Sequence, residues 1–302
     1  MEKILSSVDF KVRVISPWPK KLQVGATLFD SELASDDADA LLCYWAPHED
    51  LFNFRGPKAW YCCEPQCQFE LMDRGTWSEI RTRLSPDEFL FHNHPDPRYR
   101  VPHITHYQDI DVNKNQDRLK RAVTVVSNFG GGPRSRHPGI AYRNCFATHE
   151  SVDLFGRTSW KKYRRGLFSF PRTPANYLGE IPGDWPASEK RALLSKYKVC
   201  LCLENMNEPH YFTEKFVEAV AAGCIPVYRA HESLRDSVLK GAKWVDPADY
   251  NHDPKMTINA ALDMDLNESR EINTQWLLRE EVQKTSHLMV LTQIGQIFQG
   301  DR

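Results

Sequence analysis

The sequence has no apolar run long enough to cross a membrane, since a spanning helix needs about 20 consecutive apolar residues. Its first segment, MEKILSSVDFKVRVIS, also lacks the continuous apolar core of a secretory signal peptide. Charge of neither sign is in excess, because 39 Lys and Arg residues balance 40 Asp and Glu residues to a net charge of −1. We therefore expect no transmembrane segment, and no nucleic acid or membrane surface attracted by net charge.

The eight cysteines lack the arrangement of a disulfide framework. Such frameworks place paired cysteines in loops, whereas Cys200 and Cys202 stand inside an apolar segment typical of a buried strand. Cys62, Cys63 and Cys67 lie close together, but no paired CxxC motif or well-spaced histidine completes a tetrahedral zinc set. The cysteines are therefore predicted to be buried free thiols, which suits the cytosol.

Internal repeats and low-complexity tracts are absent as well. With 302 residues, 41% of them hydrophobic and 26% charged, the chain is typical of a soluble globular protein with two domains of ordinary size. We predict a first α/β domain over residues 1–118 and a second over residues 119–302 that ends in a helical tail. The predicted strands are Lys11–Ser16, Ala40–Trp45, Ala59–Glu64 and Glu88–Asn93 in the first domain, and segments near Ala122, Val152, Val199 and Ile225 in the second.

One segment, residues 196–228 (KYKVCLCLENMNEPHYFTEKFVEAVAAGCIPVY), has the pattern strand, polar loop, helix, strand. Val199, Leu201 and Leu203 alternate with other apolar residues, as in a strand buried on both faces. A helical period begins at Thr213, and Gly223 stands where it would end. Ligands of parallel α/β sheets bind beyond the carboxyl ends of the strands. The polar loop before the helix is therefore a candidate binding site.

The start of this predicted helix carries groups suited to a nucleotide diphosphate. Unpaired backbone N–H groups and the helix dipole attract phosphate, and the ammonium group of Lys215 adds a full charge. Because the same dipole disfavours a lysine in the first turn, an anionic ligand would explain its position. Glu214 is suited to accept hydrogen bonds from ribose or sugar hydroxyls. The alternative is an ordinary helix start, with Thr213 as the N-cap and both charges solvated.

The segment resembles the donor-binding motif of the α-1,3-fucosyltransferases, inverting enzymes that use GDP-fucose. The shared residues are Glu204-Asn205, Tyr211-x-Thr213-Glu214-Lys215, and Gly223 followed by Ile225-Pro226-Val227. Leu203 departs from the pattern, which has phenylalanine at that position. The resemblance implies that the donor is bound by Asn205, Tyr211, Glu214 and Lys215, and it makes Thr213 a further candidate for donor contact.

The rest of the chain resembles the family more thinly. The strand ending in Ser127-Asn128 has a family counterpart, and the arginine that meets the donor diphosphate there falls on Arg143. Arg136 is the alternative, because the connection after Arg143 is shorter than usual. Its loop, GGGPRSR, is suited to bind an anion but is not a P-loop. The resemblance implies an α/β GT-B fold of two Rossmann-like domains facing a cleft, the first on the acceptor side and the second binding the GDP-sugar.

The family also implies a catalytic base, a glutamate that follows a strand of the N-terminal domain. Glu64, at the end of the run Trp60-Tyr61-Cys62-Cys63, has that context. A base is required to take the proton of the acceptor hydroxyl. The alternative is a solvated acid at the end of a strand. His92 and His94, which end the next predicted strand, are competing candidates for the base and for contact with the acceptor, the donor or a metal.

No cofactor is expected beyond the substrate GDP-fucose. Asp-x-Asp motifs hold Mn²⁺ in another class of glycosyltransferase, but none of the three here follows a convincing buried strand: Asp37-x-Asp39, Asp109-x-Asp111 and Asp263-x-Asp265. Activity without a protein-bound metal is therefore predicted. Animal and plant members of the family carry an N-terminal Golgi membrane anchor. Without such a segment, we expect a cytoplasmic microbial or viral form, or else a trimmed form from the Golgi lumen.

The predicted function is transfer of L-fucose from GDP-β-L-fucose to a hydroxyl of a glycan or glycoconjugate. By family default the acceptor contains N-acetylglucosamine. Two alternatives stay open at this point. One is a GT-B transferase that uses another nucleotide sugar, because diphosphate contacts do not identify the sugar. The other is a non-catalytic protein that binds a sugar nucleotide or a glycan.

Overall fold

The computed structural model describes residues 7–16, 21–65, 76–107, 110–127, 138–163, 170, 172–181 and 188–300. Its strands are β1 (Phe10–Ile15), β2 (Lys21–Val24), β3 (Thr27–Asp30), β4 (Ala40–Tyr44), β5 (Lys58–Cys62), β6 (Phe89–Phe91), β7 (Leu119–Val125), β8 (Val152–Phe155), β9 (Tyr177–Gly179), β10 (Tyr197–Leu201) and β11 (Ile225–Val227).

The α-helices in these ranges are α1 (Asp50–Asn53), α2 (Thr76–Arg83), α3 (Pro138–Ala147), α4 (Ser188–Leu194), α5 (Glu214–Ala221), α6 (Glu232–Arg235), α7 (Pro254–Asp263), α8 (Leu266–Leu277), α9 (Glu280–Gln283) and α10 (His287–Gln299). Short 3-10 helices cover Ser35–Asp37, Pro86–Glu88, Pro97–Tyr99, Thr158–Lys162 and Pro247–Tyr250. No helix of the described residues is both long enough and apolar enough to cross a membrane.

The chain divides into two compact units, one formed by Met1–Tyr107 with Lys284–Arg302 and the other by Gln108–Gln283. This division differs from the predicted boundary at residue 118, and it moves the last helix out of the predicted second domain. The reason is that α10 buries its apolar side chains in the core of the first unit. Val290, Leu291 and Ile294 lie in one core cluster with Val12 of β1 and Phe29 of β3, so the chain returns to the first unit at its end.

The first unit is built on a six-stranded sheet with the order β2-β3-β1-β4-β5-β6. All neighbours pair in parallel except β2 and β3, which form an antiparallel hairpin. The four predicted strands of this domain correspond to β1, β4, β5 and β6. The β2–β3 hairpin is absent from the prediction because polar residues Lys21 and Gln23 interrupt its short first strand.

The second unit contains a parallel sheet with the order β11-β10-β7-β8-β9. From β7 the chain first adds β8 and β9 on one side, and then crosses back to add β10 and β11 on the other. The strand order therefore reverses between β7 and β10. In open α/β sheets such a switch point is where ligands bind, outside the carboxyl ends of the two strands.

The interior strand β10 is buried on both faces, as its alternating apolar pattern predicts. Val199 and Leu201 belong to one core cluster, whereas Cys200 and Tyr197 belong to another. The helix that follows, α5, ends where predicted, because Gly223 adopts a φ of 70° that favours glycine. Buried free thiols are found at Cys43, Cys62, Cys63, Cys200, Cys202 and Cys224, whereas Cys145 is exposed and Cys67 lies outside the described residues.

Phe216→Ala should destabilise the second unit strongly. The Phe216 side chain is fully buried in α5 and contacts the rings of Tyr228 and Trp276 at centroid distances of 5.2 and 5.1 Å. Removing a buried phenylalanine leaves a cavity and costs about 3–5 kcal/mol. Denaturant unfolding measures the loss. The matched control is Phe170→Ala, since Phe170 is 81% exposed, and an equal loss in both variants would contradict this account of the core.

Candidate functional site

A buried carboxylate, Glu204, organises the segment between β10 and α5. Its side chain is 3% exposed. Oε1 accepts hydrogen bonds from the Thr213 backbone N–H at 3.0 Å and from the Thr213 hydroxyl at 2.6 Å. The Tyr228 hydroxyl, just after β11, donates to the same oxygen at 3.3 Å. One carboxylate therefore ties together the end of β10, the start of α5 and the end of β11.

Lys215 lies between two carboxylates in the first turn of α5. Its Nζ is 3.0 Å from Glu204 Oε2, an ion-pair distance without hydrogen-bond alignment, and 3.3 Å from Glu214 Oε1. It also donates to the Thr213 hydroxyl at 3.0 Å. Burial by itself lowers the pKa of the ammonium group, but the two carboxylates outweigh it and raise that pKa above its ordinary value. The lysine disfavoured by the helix dipole is thus stabilised by carboxylates of its own chain.

The start of α5 is a capped helix N-terminus. Thr213 has an extended backbone, with φ −119° and ψ −177°, and its hydroxyl accepts a bond from the Lys215 N–H at 3.5 Å. The Thr213 side chain is buried, so the cap is held in one geometry. This position makes Thr213 the N-cap of α5, and it is also compatible with contact between Thr213 and a donor. That contact stays a prediction.

Arg143 links the carboxyl ends of β7 and β10. Its guanidinium donates through NH2 to the Ser127 carbonyl at 2.6 Å and through NH1 to the Asn205 side-chain oxygen. Arg143 is 2% exposed, and its Nε has no hydrogen-bond partner among the described residues. Burial lowers the pKa of this arginine to about 10, against the opposing attraction of Glu204. A buried, incompletely paired cation therefore stands at the switch point of the sheet.

Helix α3, which carries Arg143, touches the candidate site directly at Gly139. A Cβ atom added at Gly139 would lie 2.0 Å from the Asn205 carbonyl oxygen and 2.8 Å from the Met206 Cα. Real Cβ atoms do not approach backbone so closely, so only glycine permits this packing. The close approach fixes the distance between the arginine-bearing helix and the loop after β10.

Tyr211 is buried in the same loop, with 3% of its surface exposed. Its N–H donates to the Glu208 carbonyl at 3.3 Å, and its own carbonyl accepts from the Tyr228 hydroxyl at 3.5 Å. An ionised Tyr211 would raise the pKa of Arg143, so the two side chains lie in one neighbourhood. The structure thus brings together the predicted donor-binding residues of the second unit: Arg143, Asn205, Tyr211, Thr213, Glu214 and Lys215.

The predicted base, Glu64, lies in the first unit, two residues beyond the end of β5. Its side chain is half-buried. The indole Nε1 of Trp45, the residue after β4, donates to Glu64 Oε1 at 3.2 Å. A carboxylate at the carboxyl end of a parallel strand has the position expected of a functional group in this fold, and its role as a base stays a prediction.

The competing histidines are buried in the first unit. His94 is 4% exposed, and its ring nitrogens lie within hydrogen-bond distance of backbone atoms of Asp96 and Pro86. These contacts give the His94 ring a structural role, because they tie the loop after β6 to the backbone at Pro86. His92 is 1% exposed, and contact of either ring with a ligand stays a prediction. The alternative phosphate-binding residue, Arg136, lies outside the described residues.

Ser127, Gly139 and Glu204 belong to this arrangement although none of them is in the predicted site. Ser127 acts through its carbonyl and Gly139 through its lack of a side chain, so neither has a chemical signature in the sequence. Glu204 is different. Its carboxylate directly follows a buried strand and precedes a lysine by eleven positions in the same motif, which is a signal that it pairs with a buried charge.

Other features of the described residues are separate from this site. No group of three or more His, Cys, Asp or Glu residues in those ranges is placed to hold a metal ion. A cavity of about 810 Å³ lies near the amino ends of β7 and β8, at Arg121 and Asp153, with Phe170 and Arg172 in its wall. It is therefore at the opposite end of the sheet from Arg143.

Comparison with known proteins identifies the segment that carries the site. Residues 115–287 match the family model described as glycosyltransferase family 10 (fucosyltransferase), C-terminal part. The match includes β7, α3, β10 and α5 and covers more than half of the 302 residues. No curated protein sequence matches the chain.

Solved structures resemble the whole chain at low sequence identity. An α1,3-fucosyltransferase structure is 17% identical over 100% of this chain and 93% of that one, with a TM-score of 0.50. An α-glucosyltransferase in complex with UDP and DNA is 14% identical over 88% and 80%, with a TM-score of 0.52. A UDP-forming trehalose-phosphate synthase from Burkholderia xenovorans is 12% identical over 95% and 92%, with a TM-score of 0.50. These likenesses confirm the predicted fold class, a mixed α/β fold with parallel sheets as in GT-B glycosyltransferases.

Gly139→Ala should damage the site and the fold together. The new methyl group would displace the backbone at Asn205, and such overpacking costs about 1–3 kcal/mol. Because Asn205 is held by Arg143, the shift should also weaken the predicted binding of GDP, measured by calorimetry. Gly295→Ala in α10 is the control, since its added Cβ would meet Thr27 at an ordinary 3.5 Å. Unchanged GDP affinity in Gly139→Ala would refute the importance of this contact.

Proposed function

This chain belongs to glycosyltransferase family 10, the fucosyltransferases, and on that premise we propose that it transfers L-fucose from GDP-fucose to a hydroxyl group of a glycan. The family makes the protein a glycosyltransferase. The donor, inversion at the anomeric carbon and the acceptor class are the proposal. The observation that carries it is the buried guanidinium of Arg143, which bridges the carboxyl ends of β7 and β10.

A diphosphate suits this position for electrostatic reasons. Arg143 is buried with one nitrogen unpaired by the described residues, and a nearby anion would compensate a charge that burial disfavours. The α5 N-terminus adds the partial positive charge of its dipole. Arginine presents several donors in a fixed plane that matches phosphate oxygens. We assign Arg143 and Asn205 to the diphosphate side of the donor site.

Lys215 would have to change partners when the donor binds. Without a ligand it is paired with Glu204 and Glu214. We propose that the diphosphate takes over the place of Glu214, whose carboxylate then accepts hydrogen bonds from ribose hydroxyls. Glu204 would remain paired, because its other oxygen is committed to Thr213 and Tyr228. Lys215 then stabilises the charge that develops on the leaving GDP.

Glu64 is proposed as the general base. Its carboxylate takes the proton of the acceptor hydroxyl while that oxygen attacks the anomeric carbon of fucose. The bond from this carbon to the diphosphate oxygen breaks on the opposite side, and GDP leaves with the bonding electrons. One displacement of this kind inverts the configuration at the anomeric carbon. N-acetylglucosamine in a glycan is proposed as the acceptor on the family resemblance alone.

A donor panel tests the proposal. The purified chain is incubated in EDTA with GDP-fucose, GDP-mannose, UDP-glucose or UDP-galactose and an N-acetylglucosamine-containing oligosaccharide. We expect transfer from GDP-fucose only, with an α-fucosyl product by NMR and no stimulation by Mn²⁺. Transfer from a UDP-sugar would show that the chain uses a donor other than GDP-fucose. No transfer and no donor hydrolysis from any sugar would refute the proposed reaction, and an absolute need for Mn²⁺ would refute its metal independence.

Glu64→Gln should separate chemistry from donor binding. The amide keeps the size of the side chain and can still accept from Trp45, but it cannot take a proton, and removing a general base typically costs about 10²–10⁴-fold in rate. We therefore expect kcat to fall by that factor while GDP affinity stays near that of the wild type. Near-normal turnover of the Glu64→Gln variant would show that another residue acts as the base.

A further inference from the structure

Trp45 has a backbone conformation that is rare for a bulky residue. It directly follows β4 and has a φ of 72°, in the left-handed region where large side chains are strained. Two contacts with β5 hold it there. Its N–H donates to the Tyr61 carbonyl at 2.9 Å, and its own carbonyl accepts from the indole of Trp60 at 3.2 Å. Trp60 is 1% exposed, so the second contact is anchored in the core.

This backbone directs the Trp45 indole to Glu64. Nε1 donates to Oε1 of the carboxylate at 3.2 Å, and within the described part of the chain no other hydrogen bond to this carboxylate is present. The contact spans the ends of two adjacent parallel strands, β4 and β5. Trp45 therefore makes one hydrogen bond through its carbonyl to Trp60 in the core and another through its indole to the carboxylate of Glu64.

The hydrogen bond from Trp45 meets a geometric requirement of a carboxylate base. A glutamate side chain rotates about three bonds, and a base must present one oxygen to the acceptor hydroxyl in a narrow geometry. The indole N–H can only donate. It therefore engages one oxygen of the ionised carboxylate, the form that accepts a proton, and leaves the other oxygen for the acceptor.

We propose that Trp45 is a positioning residue for the reaction, holding Oε1 of Glu64 so that Oε2 meets the acceptor hydroxyl. This inference rests on the proposed role of Glu64 as the base. Trp45 itself need not touch either substrate. The strained φ and the Trp60 anchor are the means by which the fold keeps the indole in place.

A double-mutant cycle tests the proposal with GDP-fucose and the oligosaccharide used above. Trp45→Phe keeps an aromatic ring but removes the donor, and a hydrogen bond to a charged group is worth about tenfold or more. We expect kcat to fall about tenfold with an unchanged KM for GDP-fucose. In the Glu64→Gln background the same substitution should cause no further loss, because Trp45 then has no base to position. A loss that multiplies in the double variant would mean a merely structural role.

A second measurement needs no substitution at Trp45. The indole N–H resonances are assigned by NMR in the wild type and in Glu64→Gln. The Trp45 signal should move upfield in the variant, because a neutral amide oxygen is a weaker acceptor than a carboxylate. The Trp276 indole is the control, since it donates to the Val238 carbonyl in the second unit at 2.7 Å. A Trp45 signal as constant as that of Trp276 would overturn the inference.

The two proposals fail in different ways. If the wild type transfers no fucose, the proposed function is wrong and the positioning role falls with it. If the wild type transfers fucose and Glu64→Gln lowers kcat as predicted, but the Trp45→Phe effect persists in the double variant, only the role of Trp45 is wrong.

Discussion

The candidate site depends on the interactions of one buried carboxylate. Glu204 accepts two hydrogen bonds from Thr213 and one from Tyr228, and it pairs with Lys215. Breaking a buried ion pair leaves a charge without compensation and costs about 3–5 kcal/mol. Since the partners of Glu204 belong to α5 and to the end of β11, its loss would disturb both. The position of Lys215, and with it the proposed anion-binding end of α5, follows from this carboxylate.

Charge balance explains why the cations remain charged in a buried setting. Two carboxylates, Glu204 and Glu214, raise the pKa of Lys215 above its ordinary value although burial opposes them. A raised pKa in the folded state means that the ion pair stabilises the fold fully below the unfolded pKa of about 10.4. That contribution is lost only as the pH rises through the folded pKa, so Lys215 is an ammonium ion at neutral pH. Fewer negative charges offset the burial of Arg143, so burial lowers the pKa of its guanidinium group to about 10.

Periodic patterns allowed the parallel strands to be predicted, because β4 is buried and apolar throughout, and β5, β7 and β10 each contain a buried, mostly apolar run at residues 59–62, 122–124 and 199–201. The β2–β3 hairpin and the return of α10 to the first unit were not predictable in this way. The hairpin is short and partly polar, and α10 packs in one cluster with Val12 and Phe29, which are more than 250 residues away in sequence. The motif residues from Asn205 to Lys215 could be predicted from the resemblance. Gly139 and the carbonyl of Ser127 could not, because they contribute backbone geometry rather than side-chain chemistry.

The central claim is that the buried cations at the switch point bind a guanosine diphosphate, and calorimetric titration of GDP tests it most directly. Wild type should bind GDP, and Lys215→Ala should bind it about tenfold more weakly or worse, as expected for a lost bond to a charged group. Lys243→Ala, which removes a lysine paired with Glu268, should bind GDP like the wild type. Absence of binding to the wild type, or equal affinities of wild type and Lys215→Ala, would contradict the account.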